Sequence, residues 1–430
     1  MSDYRQLKMR RDMSLPLPVI APDKDFAVHT ADANSAGAWE WIISASFGHE
    51  YSYSMITDDQ RCAPERVFFV KEHAQDIATV TLQVAPEKTS IHMVGTHPWA
   101  SGRGAVKYAM EAALKCANDM GIKEVHLTTD DFRLPAIRVY LDFGFEPVED
   151  DDEMVQRWAA VREKLAAYVK PERKKINLWP DGNIPLYQEG NDIPAITPYP
   201  VEGSRGAVVV CPGGGYCGRA SHEGAHIAKM INAAGVSAFV LDYRVNPCHY
   251  EAPLTDAKRA IRTVRSMGYE KVAILGFSAG GHLCCSAATL YDLGNPDAED
   301  PIERLSSRPD AFIPCYPVAS FVSFRHQGSV ENLLGEYKTN YPMLRRFSAE
   351  LQVTPDTPPA FIWHTATDAG VPVENSIQLA AALSKAGVPF ELHIFPEGPH
   401  GLGLAGGRPG AGEWPALCQK WLTRLGFAKE

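Results

Sequence analysis

The sequence predicts an α/β protein in two parts: a doubly wound, mostly parallel sheet in the C-terminal half, preceded by an α+β domain. Three observations predict it. At 430 residues the chain exceeds one typical domain, and two is the natural division. The second half carries fully apolar runs, Gly206–Cys211, Ser237–Asp242 and residues 272–275, alternating with helical patterns. Strands buried on both faces read this way, and the connections are long enough for crossovers. The first half has a different grammar, with residues 66–71 and 77–84 reading as antiparallel strands joined by a polar turn.

Residues 1–25 are polar and proline-punctuated and read as a lead-in. Ser35–Phe47 is expected to be helical, with Trp39, Ile42, Ile43 and Phe47 on one face. After the two antiparallel strands, residues 89–94 form a third. The loop P-W-A-S-G-R-G-A (98–105) follows, then a long helix over 106–120 that Gly121 stops. Residues 125–128 are a strand, 135–142 a short helix closed by Gly144, and 145–148 the last strand. These elements assign the first domain to 26–153. Residues 154–169 are amphipathic and helical, and 154–175 reads as a helical linker with the boundary near 170–175.

A glycine-rich loop leading into a helix offers unpaired backbone N–H groups to a phosphate. With the strand before it and A-I-R-V-Y-L-D-F-G-F after it, residues 25–150 resemble the GNAT acetyltransferase superfamily. Ala136, Ile137, Tyr140, Gly144 and Phe145 fall where that superfamily places them. The resemblance implies a twisted sheet whose splayed central strands admit the pantetheine arm of acetyl-CoA. Gly102, Arg103 and Gly104 would cradle the pyrophosphate. Tyr140 would protonate the departing thiolate, the plainer reading being a packed aromatic. The loop departs from the family at Ser101, where Arg or Gln is preferred, and at Val106, where Gly or Ala is. The acceptor is unreadable, since His92 reads as a core residue on a strand. The rival reading is a non-catalytic sensor or docking module.

The second half is organised around K-V-A-I-L-G-F-S-A-G-G-H-L (271–283): an apolar strand, a sharp turn with Ser278 at its apex, and a helix of small residues. Glycines two residues either side of the serine suit a turn with no room for a Cβ. A hydroxyl there sits at the top of a sheet and at a helix N-terminus. Upstream, Pro212-Gly213-Gly214-Gly215-Tyr216 follows an apolar strand. Glycines let backbone N–H groups approach a developing oxyanion, each donor typically contributing about 2.7–4 kcal/mol. Gly213 and Gly214 are the expected donors, with the N–H of Ala279 completing the site. A serine needs a base, and the base an orienter. Asp368 and His400 both fall just beyond strand ends, where open α/β sheets build their sites. Glu374 and Glu397 compete with Asp368; His364 and His393 compete with His400 but lie inside strands.

The chain order Ser278, Asp368, His400 is that of the α/β-hydrolases. The glycine loop, G-F-S-A-G-G-H (276–282), H-T-A-T-D (364–368) with Val371-Pro372, and His400-Gly401 together resemble their carbohydrate acetyl-esterase branch, covering residues 176–430. The resemblance implies removal of acetyl or other short acyl groups from carbohydrate or small-molecule esters. Pro212 stands where lipase-like relatives often carry histidine. Residues 292–350, rich in proline and aromatics (Tyr316, Phe321, Phe324, Tyr337, Tyr341), are expected to cap the site, simple packing being the alternative. A peptidase or amidase on the same scaffold is the rival class.

Composition narrows the partners. The net charge of −10 argues against a nucleic-acid surface. Nine scattered cysteines without C-x-x-C pairs suit reduced thiols, with Cys284 and Cys285 packed in a core. The N-terminal stretch has no apolar signal core and no run approaches membrane-spanning length, so a cytoplasmic protein is expected. Hydrolysis by this triad requires no metal and no cofactor. A homo-oligomer is compatible with the sequence.

Overall fold

Two sheets organise the chain, one in each of the units Met1–Glu172 and Arg173–Glu430. The computed structural model describes residues 5–23, 26–72, 75–167 and 174–428. Residues 168–173, on which the expected boundary largely falls, lie outside that set.

In the first unit the elements run β1 (Leu7–Asp12), β2 (Phe26–Thr30), α1 (Ser35–Phe47), α2 (Ser54–Thr57), β3 (Val67–Glu72), β4 (Gln75–Val84), β5 (Thr89–Thr96), α3 (Val106–Asp119), β6 (Glu124–Thr129), α4 (Leu134–Asp142), β7 (Glu146–Pro147) and α5 (Asp152–Ala167). The sheet order is β2-β3-β4-β5-β6-β1-β7. Every pairing is antiparallel except β5 with β6. That parallel pairing joins only Thr89 to Val125 and Ser90 to His126, so the two strands part beyond their first residues. Helix α3 buries Ala109, Met110, Ala113, Leu114 and Ala117, one stripe at helical spacing, in the unit's core.

Two expectations are corrected here. The lead-in assigned to 1–25 contains β1, which lies between β6 and β7 and turns Leu7, Met9 and Arg11 inward. Arg11 disguises the pattern. Its buried guanidinium is satisfied by the carbonyls of Phe143, Leu15 and Pro16, so an inward position carries a charge. The helix assigned to the 154–175 linker belongs to the first unit. Its stripe Met154, Trp158, Val161 and Leu165 is part of the same core as α3.

The second unit runs β8 (Ile176–Asn177), β9 (Ala195–Tyr199), β10 (Gly206–Cys211), α6 (Ala225–Ala233), β11 (Ser237–Asp242), α7 (Ala252–Ser266), β12 (Lys271–Phe277), α8 (Ser278–Thr289), β13 (Ala311–Cys315), α9 (Gln327–Leu334), α10 (Tyr341–Arg346), β14 (Ala360–Thr365), α11 (Glu374–Ala386), β15 (Phe390–Phe395) and α12 (Trp414–Arg424). The sheet order is β15-β14-β13-β12-β10-β11-β9-β8. Strands β10 to β15 are mutually parallel; β9 and β8 add an antiparallel edge. Ala207, Val209 and Cys211 of β10 face one core with residues of α7, α8 and α11. Elsewhere in the unit Trp363 of β14 stacks on Trp414 of α12, ring centroids 5.1 Å apart.

Strand β13 corrects the expected cap. Residues 292–350 contain a central strand, A-F-I-P-C, hidden in the sequence by Pro314. Proline donates no ladder hydrogen bond. Here it pairs with Gly276 of β12, while on the other side β13 meets β14 only at Phe312 and Cys315. Tyr316 and Phe321 are consequently buried packing residues, whereas Phe324, Tyr337 and Tyr341 are exposed. Among the described residues no helix is long and apolar enough to cross a membrane.

Candidate active site

The parallel strands deliver their loops to one rim of the second sheet. Residue 213 follows β10, 278 follows β12, 316 follows β13, 368 follows β14 and 400 follows β15. Ser278 opens α8 with φ +53°, a left-handed backbone that L-residues adopt at a cost of about 1–2 kcal/mol. The turn is held in place by its glycines. A Cβ on Gly280 would stand 2.2 Å from the carbonyl oxygen of Cys211 and 2.4 Å from that of Pro212. The helix start therefore packs directly on the end of β10.

Ser278, His400 and Asp368 form one hydrogen-bonded chain. His400 Nε2 lies 2.7 Å from Ser278 Oγ, and His400 Nδ1 lies 2.7 Å from Asp368 Oδ2. Asp368 Oδ1 accepts from the amides of Gly370 at 2.8 Å and Val371 at 2.9 Å. Burial would raise the Asp368 carboxyl, but hydrogen bonds from His364, His400 and the Val371 amide outweigh it and hold the group well below the usual carboxylate range. His364 is thus no rival to His400. Its Nε2 donates to Val371 O at 3.0 Å and lies 3.3 Å from Asp368 Oδ2, while Nδ1 accepts from Ser376. His393 pairs with Glu391 on β15.

The glycine loop lies against the serine, a Cβ at Gly213 standing 3.1 Å from Ser278 Cβ. The expectation for Gly213 as an oxyanion donor is corrected, because its N–H donates to Glu223 Oε2 at 2.7 Å. The Gly213 carbonyl accepts from Ala220 N–H at 2.8 Å. That carbonyl shares a trans peptide plane with the N–H of Gly214, so fixing one fixes the direction of the other. Ala279 is in the first turn of α8, where amides have no partner within the helix. Of the three expected donors, Gly213 is thus engaged elsewhere, while the amides of Gly214 and Ala279 flank the serine in the glycine loop and at the start of α8.

Two groups that sequence reasoning missed brace this loop. Tyr216, next to the glycines, donates its hydroxyl to His282 Nδ1 at 2.7 Å, and His282 Nε2 donates to Phe347 O at 2.8 Å. Burial lowers the His282 imidazole to about 4, so it stays neutral and keeps both bonds. The second is Glu223, 2% exposed, in the short turn Ser221–Glu223. Only the G-F-S-A-G-G-H run hinted at His282. Nothing in S-H-E-G hinted that Glu223 returns to the glycines ten residues earlier.

In the first unit the loop before α3 places Gly102 at φ +93° and Gly104 at φ +81°. A Cβ at Gly102 would meet nothing within 4 Å. The Arg103 guanidinium pairs with buried Glu72 and lies over the Phe26 ring, 5.0 Å from its centroid. The guanidinium at 103 is thus already engaged within the unit. Tyr140 is buried with Ile137, Phe143 and Phe145 in the core, and burial pushes its phenol well up. The parting of β5 and β6 and the positive φ of Gly102 and Gly104 are the features of this unit that bear on the phosphate-ended ligand its resemblance implies.

Comparison with known proteins agrees with both halves. Residues 196–383 match the BD-FAE family, and residues 36–145 match the acetyltransferase (GNAT) family. Endo-1,4-beta-xylanase B of Butyrivibrio fibrisolvens is 37% identical over 278 residues, 60% of this chain and 43% of that protein. Acetylxylan esterase of Xylanibacter ruminicola is 34% identical over 231 residues, 51% of this chain and 44% of its own. The chain thus spans less than half the length of these curated relatives. The crystal structure of an acetyl ester-xyloside bifunctional hydrolase from Caldicellulosiruptor lactoaceticus superposes with a TM-score of 0.58 at 45% identity, covering 61% of this chain and 99% of that one.

Proposed function

Because the chain belongs to the BD-FAE α/β-hydrolases in its second unit and to the GNAT family in its first, we propose that it is a serine esterase removing acetyl or other short acyl groups from carbohydrate or small-molecule esters, joined to an acetyl-CoA-binding domain. The observation that carries the esterase reading is the Ser278–His400–Asp368 chain, with both links at 2.7 Å. Ser278 Oγ attacks the acyl carbon as His400 Nε2 takes its proton. The carbonyl oxygen becomes negative and is held by the amides of Gly214 and Ala279. His400 passes the proton to the departing alcohol, leaving an acetyl group on Ser278. Water, activated by the same imidazole, then releases acetate. Asp368 keeps the proton on Nδ1 and stabilises the imidazolium.

In the first unit the residues would hold acetyl-CoA with its pyrophosphate at the backbone of Gly102, Arg103 and Gly104 and its arm between β5 and β6. A bound acetyl-CoA supplies an activated acetyl group. The Tyr140 phenol, kept protonated by burial, retains a proton that a departing thiolate could accept. The nine unpaired cysteines support a cytoplasmic setting.

The test is Ser278→Ala in the full chain, assayed on p-nitrophenyl acetate and a panel of sugar acetates. Turnover should fall to background; undiminished turnover would end the reading. Cleavage of acyl p-nitroanilides as fast as the esters would move it to an amidase.

A further inference from the structure

Glu223 is buried in the second unit, yet the reaction described above gives it no proton to carry. A buried carboxylate is costly unless its oxygens are satisfied. Both are: Oε2 accepts from Gly213 N–H at 2.7 Å, and Oε1 accepts from the Tyr316 hydroxyl at 2.6 Å. The Tyr316 hydroxyl in turn accepts from Gly403 N–H at 2.7 Å. Gly403 lies three residues beyond His400, and the Tyr316 ring packs edge-on to the His400 ring, centroids 5.2 Å apart. The neighbouring His222 adds a second strut, its Nε2 donating to Gly401 O at 3.0 Å. The carboxylate also fills the space in front of Gly213, where an added Cβ would stand 2.7 Å from Oε2.

We propose that Glu223 is a positioning residue that holds the oxyanion loop and the histidine loop in register through Gly213 on one side and Tyr316–Gly403 on the other. The proposal rests on the esterase reading. Two loops from strands on opposite sides of β12 and β13 must present their groups to one carbonyl. A carboxylate accepts on both sides and donates on neither, so it is matched to an N–H and an O–H facing each other. A carboxamide in its place would turn an N–H₂ toward one of those donors.

The test uses the full chain with Glu223→Gln, Tyr316→Phe and the double variant. Each single variant should lower kcat about 10- to 100-fold with KM little changed, the size expected when reacting groups are displaced by up to an ångström. The double variant should lose no more than the worse single one, because both cut the same link. A trifluoromethyl ketone, which adds to Ser278 and places an O⁻ at the oxyanion site, should lose affinity by the same factor as kcat. A merely destabilised enzyme would show fewer active molecules with unchanged inhibitor affinity, and that result overturns the proposal. So does wild-type kcat in either folded single variant. Turnover by Ser278→Ala would instead remove the esterase reading itself, which keeps the two failures apart.

Discussion

A Cβ placed on Gly276 would stand 2.0 Å from the carbonyl oxygen of Gly280. The two glycines that flank Ser278 are thus in mutual contact across the turn, and neither can carry a side chain unless the backbone moves. Because the obstacle is main chain, it cannot be relieved by a rotamer change. Gly276→Ala should destabilise the second unit by about 1–3 kcal/mol, roughly 2–12 °C in its thermal midpoint. The measurement is the temperature at which ester hydrolysis is lost, followed beside the unfolding of the whole chain. An unshifted midpoint would show that the contact is slack.

Asp368→Asn should lower kcat by about 10⁴-fold with little change in KM. The reason is specific to this carboxylate. Its Oδ1 is held by the amides of Gly370 and Val371, so the asparagine oxygen is drawn to that position. Its N–H₂ must then face His400, which can meet it only by accepting at Nδ1. The ring proton moves to Nε2, the nitrogen that should receive the Ser278 proton. Steady-state kinetics on p-nitrophenyl acetate decide this, and a loss below tenfold would mean that Asp368 does not set the tautomer.

The same residues show what a sequence can and cannot reveal. Ser278 was legible because the glycines around it answer a local steric demand, and the order of Asp368 and His400 followed from strand ends marked by apolar runs. β1 was not legible, because Arg11 occupies an inward position and its main-chain carbonyl partners have no sequence signature. β13 was hidden by Pro314, whose pairing with Gly276 becomes visible only once the strands are side by side. Helix α5 could be read as amphipathic, but not which core its stripe enters. Glu223 depends on a chain reversal over ten residues and on a tyrosine 93 positions away.

The carboxyl of Asp368 gives a pH signature. Its folded value is depressed below the ordinary 3.8, so its contribution to stability is complete above that value and is lost as pH falls through the folded one. Through the range where an imidazole titrates it stays ionised. Asp368 should therefore add no ionisation of its own to the acid limb of kcat/KM above pH 4, and the slope there should not exceed one. Stopped assays from pH 4 to 9 test this. A slope of two within that range would place a second titrating group in the site.

The first unit makes a separate prediction, independent of the hydrolase. If the opening between β5 and β6 admits acetyl-CoA, calorimetric titration of the full chain should give saturable binding at millimolar concentrations or below. Gly104→Val should weaken it about tenfold. At φ +81° a branched residue strains the backbone by about 1–2 kcal/mol, and relaxing that strain turns the loop amides away from the place proposed for the pyrophosphate. Replacing Arg103 tests a different link. Its guanidinium is engaged with Glu72 and the Phe26 ring, so Arg103→Ala should lower the thermal midpoint of the first unit more than it weakens acetyl-CoA binding. A large affinity loss with no thermal shift would mean that the guanidinium leaves Glu72 for the phosphates, and no heat of binding at all would leave the first unit without its ligand.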